Sequence, residues 1–264
     1  MDYSRWLKEC LVRTKRSEVR RFRTAALSAC VAVVALPTKI VGGESQKRLS
    51  FESKLDGNVE VFDSEGQTLV ENVLSLACQY QLPLGVEYLD RGAVSQRLRL
   101  QLRGKPVREI LLSVVAQAPQ YRLGFSGGCV QLYSPRARAD PSNLLNAVVD
   151  NFQVSGVDPQ VASAAAFEAL VHETAPKTSV VESTALGTLG PPTMTLHLKK
   201  AKVYEILDTI VANHGAAVWV VRVPPDKLST LKGTLWYIYP LQPPNWREAV
   251  LGDVTSLFPA KPTP

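Results

Sequence analysis

The chain is poor in the residues from which active sites are usually built. Its 264 residues include three histidines, four cysteines and two methionines. His172, His197 and His214 lie apart, with no partner at metal-ligand spacing. There is no Cys-x-x-Cys, so zinc and dithiol readings lack their minimum ligand set. A Gly-x-Ser-x-Gly elbow and a phosphate-binding loop are also missing, which removes the common hydrolase and nucleotide signatures. We therefore expect no cofactor, no metal and no catalytic residue. Long apolar runs are scarce too. The one candidate, Ala25 to Leu36, has twelve residues, too few at 1.5 Å each to cross a hydrocarbon core. A polytopic membrane protein is excluded.

Charge of one sign is missing from most of the chain. The formal charge is +6, from 30 basic and 24 acidic residues. Residues 1–43 hold nine of the basic residues and three of the acidic ones, which leaves 21 of each in residues 44–264. A neutral body has no bulk field for a phosphate backbone, so no nucleic-acid partner is expected. Two Gly-x-x-Gly sequences, Gly124 to Gly127 and Gly187 to Gly190, match the loop of KH modules. That loop joins two helices, and here the context is a hairpin and a loose Gly/Pro stretch.

What the first 43 residues do contain is a basic stretch ending at Arg23, the short apolar run, and Pro37. This is the order of a secretory leader, with Val41-Gly42-Gly43 offering cleavage after Gly43. Left uncleaved, residues 24–41 would be an inner-membrane signal anchor. Either way the body is expected in the periplasm or outside the cell. The membrane is then touched only through this segment. Cys10 and Cys30 lie in the leader, Cys78 and Cys129 in the body. An oxidising envelope permits a Cys78–Cys129 bridge. Cysteines of this kind are equally often small buried hydrophobes.

The body contains an internal repeat. LRLQLRGKPVREILLSVVA (98–116) aligns without gaps on MTLHLKKAKVYEILDTIVA (194–212), and eight of nineteen positions are identical. Each copy opens with period-two alternation, Leu98, Leu100, Leu102 and then Met194, Leu196, Leu198, the pattern of a half-buried strand. Each then changes to a helical stripe, Val107, Ile110, Leu111, Val114, Val115 against Val203, Ile206, Leu207, Ile210, Val211. Pro106 suits the first turn of the first helix. Glu109 and Glu205 recur beside the stripe, where an early carboxylate favours the helix dipole.

Two strands should follow each helix, Tyr121–Phe125 and Cys129–Tyr133 through Ser126-Gly127-Gly128, then Ala217–Val221 and Thr234–Tyr239 with the longer connection Pro224 to Gly233. A half-unit precedes each. In copy one it is a strand Val59–Phe62, a capping box Thr68/Glu71, a helix lined by Leu69, Val73, Leu76 and Tyr80, and a strand Leu84–Tyr88. In copy two it is a strand Ala147–Val154, the cap Asp158-Pro159, a helix through Phe167, Leu170 and Val171, and a strand at Thr178–Thr184. The fold class is α+β, as two tandem small domains at 55–135 and 143–241. Residues 136–142 read as a polar linker and 242–264 as a Pro-rich tail.

Segment 58–135 resembles the secretin and TonB short N-terminal domain. The resemblance rests on Gly66-Gln67-Thr68-Leu69 entering a helix, Leu84-Gly85-Val86-Glu87-Tyr88 leaving it, the strand Arg97–Leu102, the helix Pro106–Ala116 and the closing hairpin. Residues 143–241 are similar to a diverged second copy. The resemblance implies a periplasmic adaptor that engages envelope proteins, with no catalytic residues. No run of strands for a channel follows residue 241, so a stand-alone tandem copy is expected.

The expected function is thus a non-enzymatic envelope interaction module. It would bind an envelope protein, or a second copy of itself, by strand addition. The alternative is an accessory protein of an envelope enzyme, or a weak hydrolase without a recognisable motif. Candidate interface residues are the outward Arg97, Arg99 and Arg103, and the aromatics Trp236, Tyr237 and Tyr239 of the last hairpin.

Overall fold

The computed structural model describes residues 50–87, 93, 95–174, 193–221 and 236–241. The leader with Gly43, the strand at Thr178–Thr184, Gly187 to Gly190, the connection Pro224 to Gly233 and the tail 242–264 lie outside the described residues.

Copy one begins with α1 (Phe51–Leu55), capped by Ser50, and β1 (Asn58–Asp63). Helix α2 (Leu69–Gln79) starts at the Thr68/Glu71 capping box. Thr68 Oγ1 accepts from the Glu71 N–H, and Glu71 Oε2 accepts from the Thr68 N–H at 2.7 Å. Then come β2 (Leu84–Val86), β3 (Gln101–Pro106), α3 (Val107–Ala116), β4 (Arg122–Ser126) and β5 (Cys129–Tyr133). Gly127 and Gly128 take φ of 61° and 77°, the positive angles that a tight two-residue hairpin demands.

Two boundaries differ from expectation. The paired strand starts at Gln101, not at Arg97. Residues 98–100 lie outside the ladder and bond instead to the segment that follows β1, the Leu98 N–H donating to Gln67 O at 2.9 Å. Ser64 Oγ donates to Leu98 O and accepts from the Leu100 N–H, at 3.0 and 2.9 Å. Pro106 is the N-cap of α3 rather than part of its first turn.

Copy two comprises β6 (Val148–Val157), α5 (Pro159–Thr174), β7 (Met194–Lys202), α6 (Val203–His214), β8 (Ala217–Val221) and β9 (Trp236–Pro240). Asp158 caps α5, its Oδ1 accepting from the N–H groups of Gln160 and Val161. Between the copies runs a short helix, α4 (Pro135–Ala139).

The repeat is visible in the backbone. β1 pairs antiparallel with β3, and β6 with β7, each pair forming a two-stranded sheet. Both pairs carry a positive φ at the equivalent residue, Gly104 at 60° and Lys200 at 51°. Opposite that point the alternation slips in both copies. Val59 and Phe62 are buried with two exposed residues between them, and so are Val149 and Phe152.

The expectation of two separate domains is corrected by the remaining strands. They form one five-stranded sheet in the order β4-β5-β2-β8-β9. Strand β2 of copy one lies parallel to β5 on one side and to β8 of copy two on the other. Alternation then sorts side chains to two cores. Leu84, Val86, Val130, Leu132, Val218 and Val220 face the helices of copy one. Cys129, Ala217, Trp219, Val221 and Ile238 belong to the core of copy two. The two copies therefore pack on opposite faces of a shared sheet. Residues 48–264 accordingly make one compact unit.

Candidate functional site

The face of the shared sheet toward copy two carries a row of registered neighbours: Gly124, Gln131, Gly85, Trp219 and Ile238. Asp208 of α6 lies over this row. Its Oδ1 accepts from Trp219 Nε1 at 2.8 Å and its Oδ2 accepts from Gln131 Nε2 at 2.5 Å. Glycine is required beneath it. A Cβ on Gly85 would stand 2.6 Å from Asp208 Oδ1 and from Trp219 Nε1. A Cβ on Gly124 would stand 2.7 Å from Gln131 Oε1.

A second carboxylate closes the network. Glu87 follows β2 and is 1% exposed, while Asp208 is 4% exposed. Arg138, from α4, forms an ion pair with Glu87, its Nε donating to Oε1 at 3.0 Å and its Nη2 to the same oxygen. The guanidinium lies between two aromatic rings, 3.8 Å from the centroid of Tyr133 and 4.3 Å from that of Tyr204. It also donates to Gln131 Oε1 at 3.3 Å. Gln131 thus relays between the Arg138 cation and Asp208. The expected polar linker is corrected here: within 136–142, Ala137 is buried and Arg138 enters the joint between the copies.

Burial dominates the electrostatics. It pushes the Asp208 carboxyl up to about 7, against the hydrogen bond from Trp219 and with the like charge of Glu87 adding to the rise. It raises Glu87 as well, opposed by Arg138. Burial and the neighbouring Asp208 hold the Cys129 thiol well above its ordinary value. Cys129 is a free, buried thiol whose Sγ contacts Val130 O at 3.3 Å and Asp208 Oδ1 at 3.5 Å. The Cys78–Cys129 bridge is not formed. Cys78 packs against the first core and Cys129 belongs to the second.

The other candidates fall elsewhere. Arg97, Arg99 and Arg103 are exposed. Arg97 donates to Gly66 O at 2.9 Å, and Arg103 lies opposite Val61 in the β1–β3 pair. Trp236, Tyr237 and Tyr239 lie on β9, at one edge of the shared sheet. The opposite edge is β4, which pairs only with β5 among the described residues. Gly124 to Gly127 lie in β4 and its turn. His197 is exposed and shares a 3.0 Å hydrogen bond with Asn151 Oδ1, whereas His214 is buried and accepts from the Ala216 N–H through Nδ1. Among the described residues no three His, Cys, Asp or Glu side chains gather as a metal site, and no helix is long and apolar enough to cross a membrane.

The fold defines the class: an α+β protein in which two copies of one unit share a five-stranded sheet. No family model, curated protein or solved structure matches the chain.

Proposed function

We propose that the chain is a non-enzymatic interaction module of the cell envelope, placed in the periplasm by its leader, that binds a protein partner by strand addition. The observation that carries this reading is the edge strand β4, whose outer side has no strand beside it among the described residues. An open edge offers N–H and C=O groups to any extended segment. Arg122 to Ser126 contain no proline or lysine, two common devices for blunting an edge.

The edge is also self-complementary. Two β4 strands paired antiparallel about Gly124 would set Arg122 opposite Ser126 and Leu123 opposite Phe125, with no like charges apposed. The convergent carboxylates Glu87 and Asp208 favour this reading over a hydrolase, because at 1% and 4% exposure they face protein rather than a cleft. The resemblance to secretin and TonB short N-terminal domains agrees with an adaptor role.

The test is a pull-down from envelope extract, with sedimentation of the purified protein alongside. Wild type is compared with a variant carrying proline at the β4 residue whose N–H points away from β5. A folded variant that loses the partner or the self-association supports the proposal. Equal recovery and unchanged sedimentation by a folded variant contradict it.

A further inference from the structure

The repeat places β4 and β8 at the same point of their copies. Each follows its repeat helix, and the ungapped alignment of the helices, continued, sets Leu123 on Trp219 and Phe125 on Val221. The backbone phase agrees. In β8, Val218 and Val220 bond with β9, in step with the Leu241 N–H donating to Ala216 O. The N–H and C=O groups of Trp219 and Val221 therefore turn toward β2. In β5, the Val130 N–H and Leu132 O are taken by Pro83 O and the Glu87 N–H, on the β2 side. Their partners in register, Phe125 and Leu123, therefore turn their own N–H and C=O groups away from β5.

The two edges differ in what covers them. β8 is buried along its whole length, with β2 parallel to it and Asp208 of α6 reaching to Gly85 of β2. α3 packs on β4 as α6 packs on β8. Yet no residue of β4 is buried, and Leu112, which holds the position of Asp208 on α3, is 47% exposed.

We propose that β4 takes an extended segment of a partner polypeptide in the orientation that β2 takes on β8: parallel to β4, with an apolar side chain beneath Leu112 and an acidic residue immediately before it. The inference rests on the reading of β4 as a strand-addition edge, and it gives that partner a direction and a sequence.

The β2–β8 register, carried across, sets the incoming residue in the place of Gly85 opposite Leu123 and under Leu112. Glycine is needed in β2 because Asp208 and the Trp219 indole fill the space above it. In copy one leucines hold both positions, and Leu123 already packs at the margin of the first core. A leucine leaves room that an indole fills, and two leucines favour an apolar neighbour over a polar one. The incoming residue in the place of Leu84 lies opposite Arg122. Arg122 is exposed and donates to the carbonyls of Pro119 and Tyr121, with no carboxylate paired to it among the described residues. An acid set across from it completes a cross-strand pair. Arg122 to Ser126 hold no carboxylate, so a second β4 does not meet this description.

The probe is a blocked peptide, Thr-Asp-Leu-Val-Val-Thr, titrated into the isotope-labelled protein and followed by NMR up to about 5 mM, where millimolar dissociation constants are read. The amides of Leu123 and Phe125 and the methyls of Leu112 should shift together. A spin label at the N-terminus of the peptide should broaden Arg122 more than Ser126, and a C-terminal label the reverse. Glycine in place of the peptide leucine should weaken binding about tenfold or more, and so should Leu112→Asp, which puts the copy-two residue at this exposed site. Arg122→Glu should weaken binding about threefold and turn the preference to a peptide with lysine in place of aspartate. An N-terminal label that broadens Ser126 instead overturns the inference. So does binding indifferent to Leu112 and to the peptide leucine, or a β4 edge unmoved at the end of the titration. The peptide series on the wild type decides the matter even if Leu112→Asp does not fold. If the β4 proline variant still loses its partner in the pull-down, the strand-addition reading survives each of these results; if it does not, that reading fails as well.

Discussion

Leu112 and Asp208 occupy the same position of the repeat, yet Leu112 is 47% exposed and Asp208 is 4% exposed. The polar residue is inside and the apolar one outside. The shared sheet accounts for the inversion. In copy two, this stripe of α6 lies against β5 and β2 of copy one, where Tyr204 meets Arg138, Asp208 meets Gln131, and Ala212 lies 3.5 Å from where a Cβ on Gly128 would be. In copy one the corresponding face of α3 has Leu112 turned to solvent.

Gly85→Ala tests the contact beneath Asp208. The added methyl meets two polar atoms at 2.6 Å, Asp208 Oδ1 and Trp219 Nε1, which are buried and hydrogen-bonded to each other. A loss of about 1–3 kcal/mol is expected, as for overpacked cores. Denaturant unfolding measures it. A loss under about 0.5 kcal/mol, the range of ordinary surface changes, would mean that α6 can lift from the sheet at little cost.

Arg138→Met removes the one cation paired with Glu87 among the described residues. Breaking a buried pair from one side costs about 3–5 kcal/mol, because the surviving charge is stranded. Adding Glu87→Gln should recover much of the loss, since no charge is then left buried. The single-variant defect should also ease at acid pH, where Glu87 takes a proton. A double variant no more stable than Arg138→Met would contradict the account.

Glu109 and Glu205 are equivalent in sequence but not in role. Glu205 Oε2 accepts from the Lys202 N–H at 2.8 Å, closing the start of α6. Its counterpart cannot do this, because residue 106 is proline and has no N–H. Glu109 instead pairs with Lys105 at 2.9 Å, and both side chains are about half exposed. Glu205→Ala should cost about 1 kcal/mol and Glu109→Ala no more than about 0.5 kcal/mol. Paired thermal melts compare them, and equal costs would reject the distinction.

Lys200 and Gly104 share a left-handed backbone at one point of the repeat. Only glycine adopts it without strain. Lys200→Gly should therefore stabilise by about 0.5–1 kcal/mol, and Gly104→Ala should destabilise by at least as much. Opposite signs in the two chemical melts support a shared kink.

Much of the fold was legible because its signals are local. The period-two strands, the α3 and α6 stripes, the Thr68/Glu71 box and the Gly127-Gly128 turn each act within a few residues of sequence. The joint was not legible, because its parts are distant. Asp208 reads as a polar break at the margin of a helix stripe until β5 and β2 are placed over it. Glu87 and Gly85 in Leu84-Gly85-Val86-Glu87 read in sequence only as part of a strand. Arg138 reads as linker charge. A carboxylate within an apolar strand and an aspartate where the other copy has leucine were the available hints. Neither identifies its partner.

The sharing of one sheet by both copies is the claim on which the rest depends. Differential scanning calorimetry of the wild type and of Gly85→Ala tests it most directly. The account predicts one cooperative transition for residues 48–264, with matching calorimetric and van't Hoff enthalpies, that moves as a whole to lower temperature in the variant. Two transitions, with only one displaced by the substitution, would mean that the copies fold as independent domains and would contradict it.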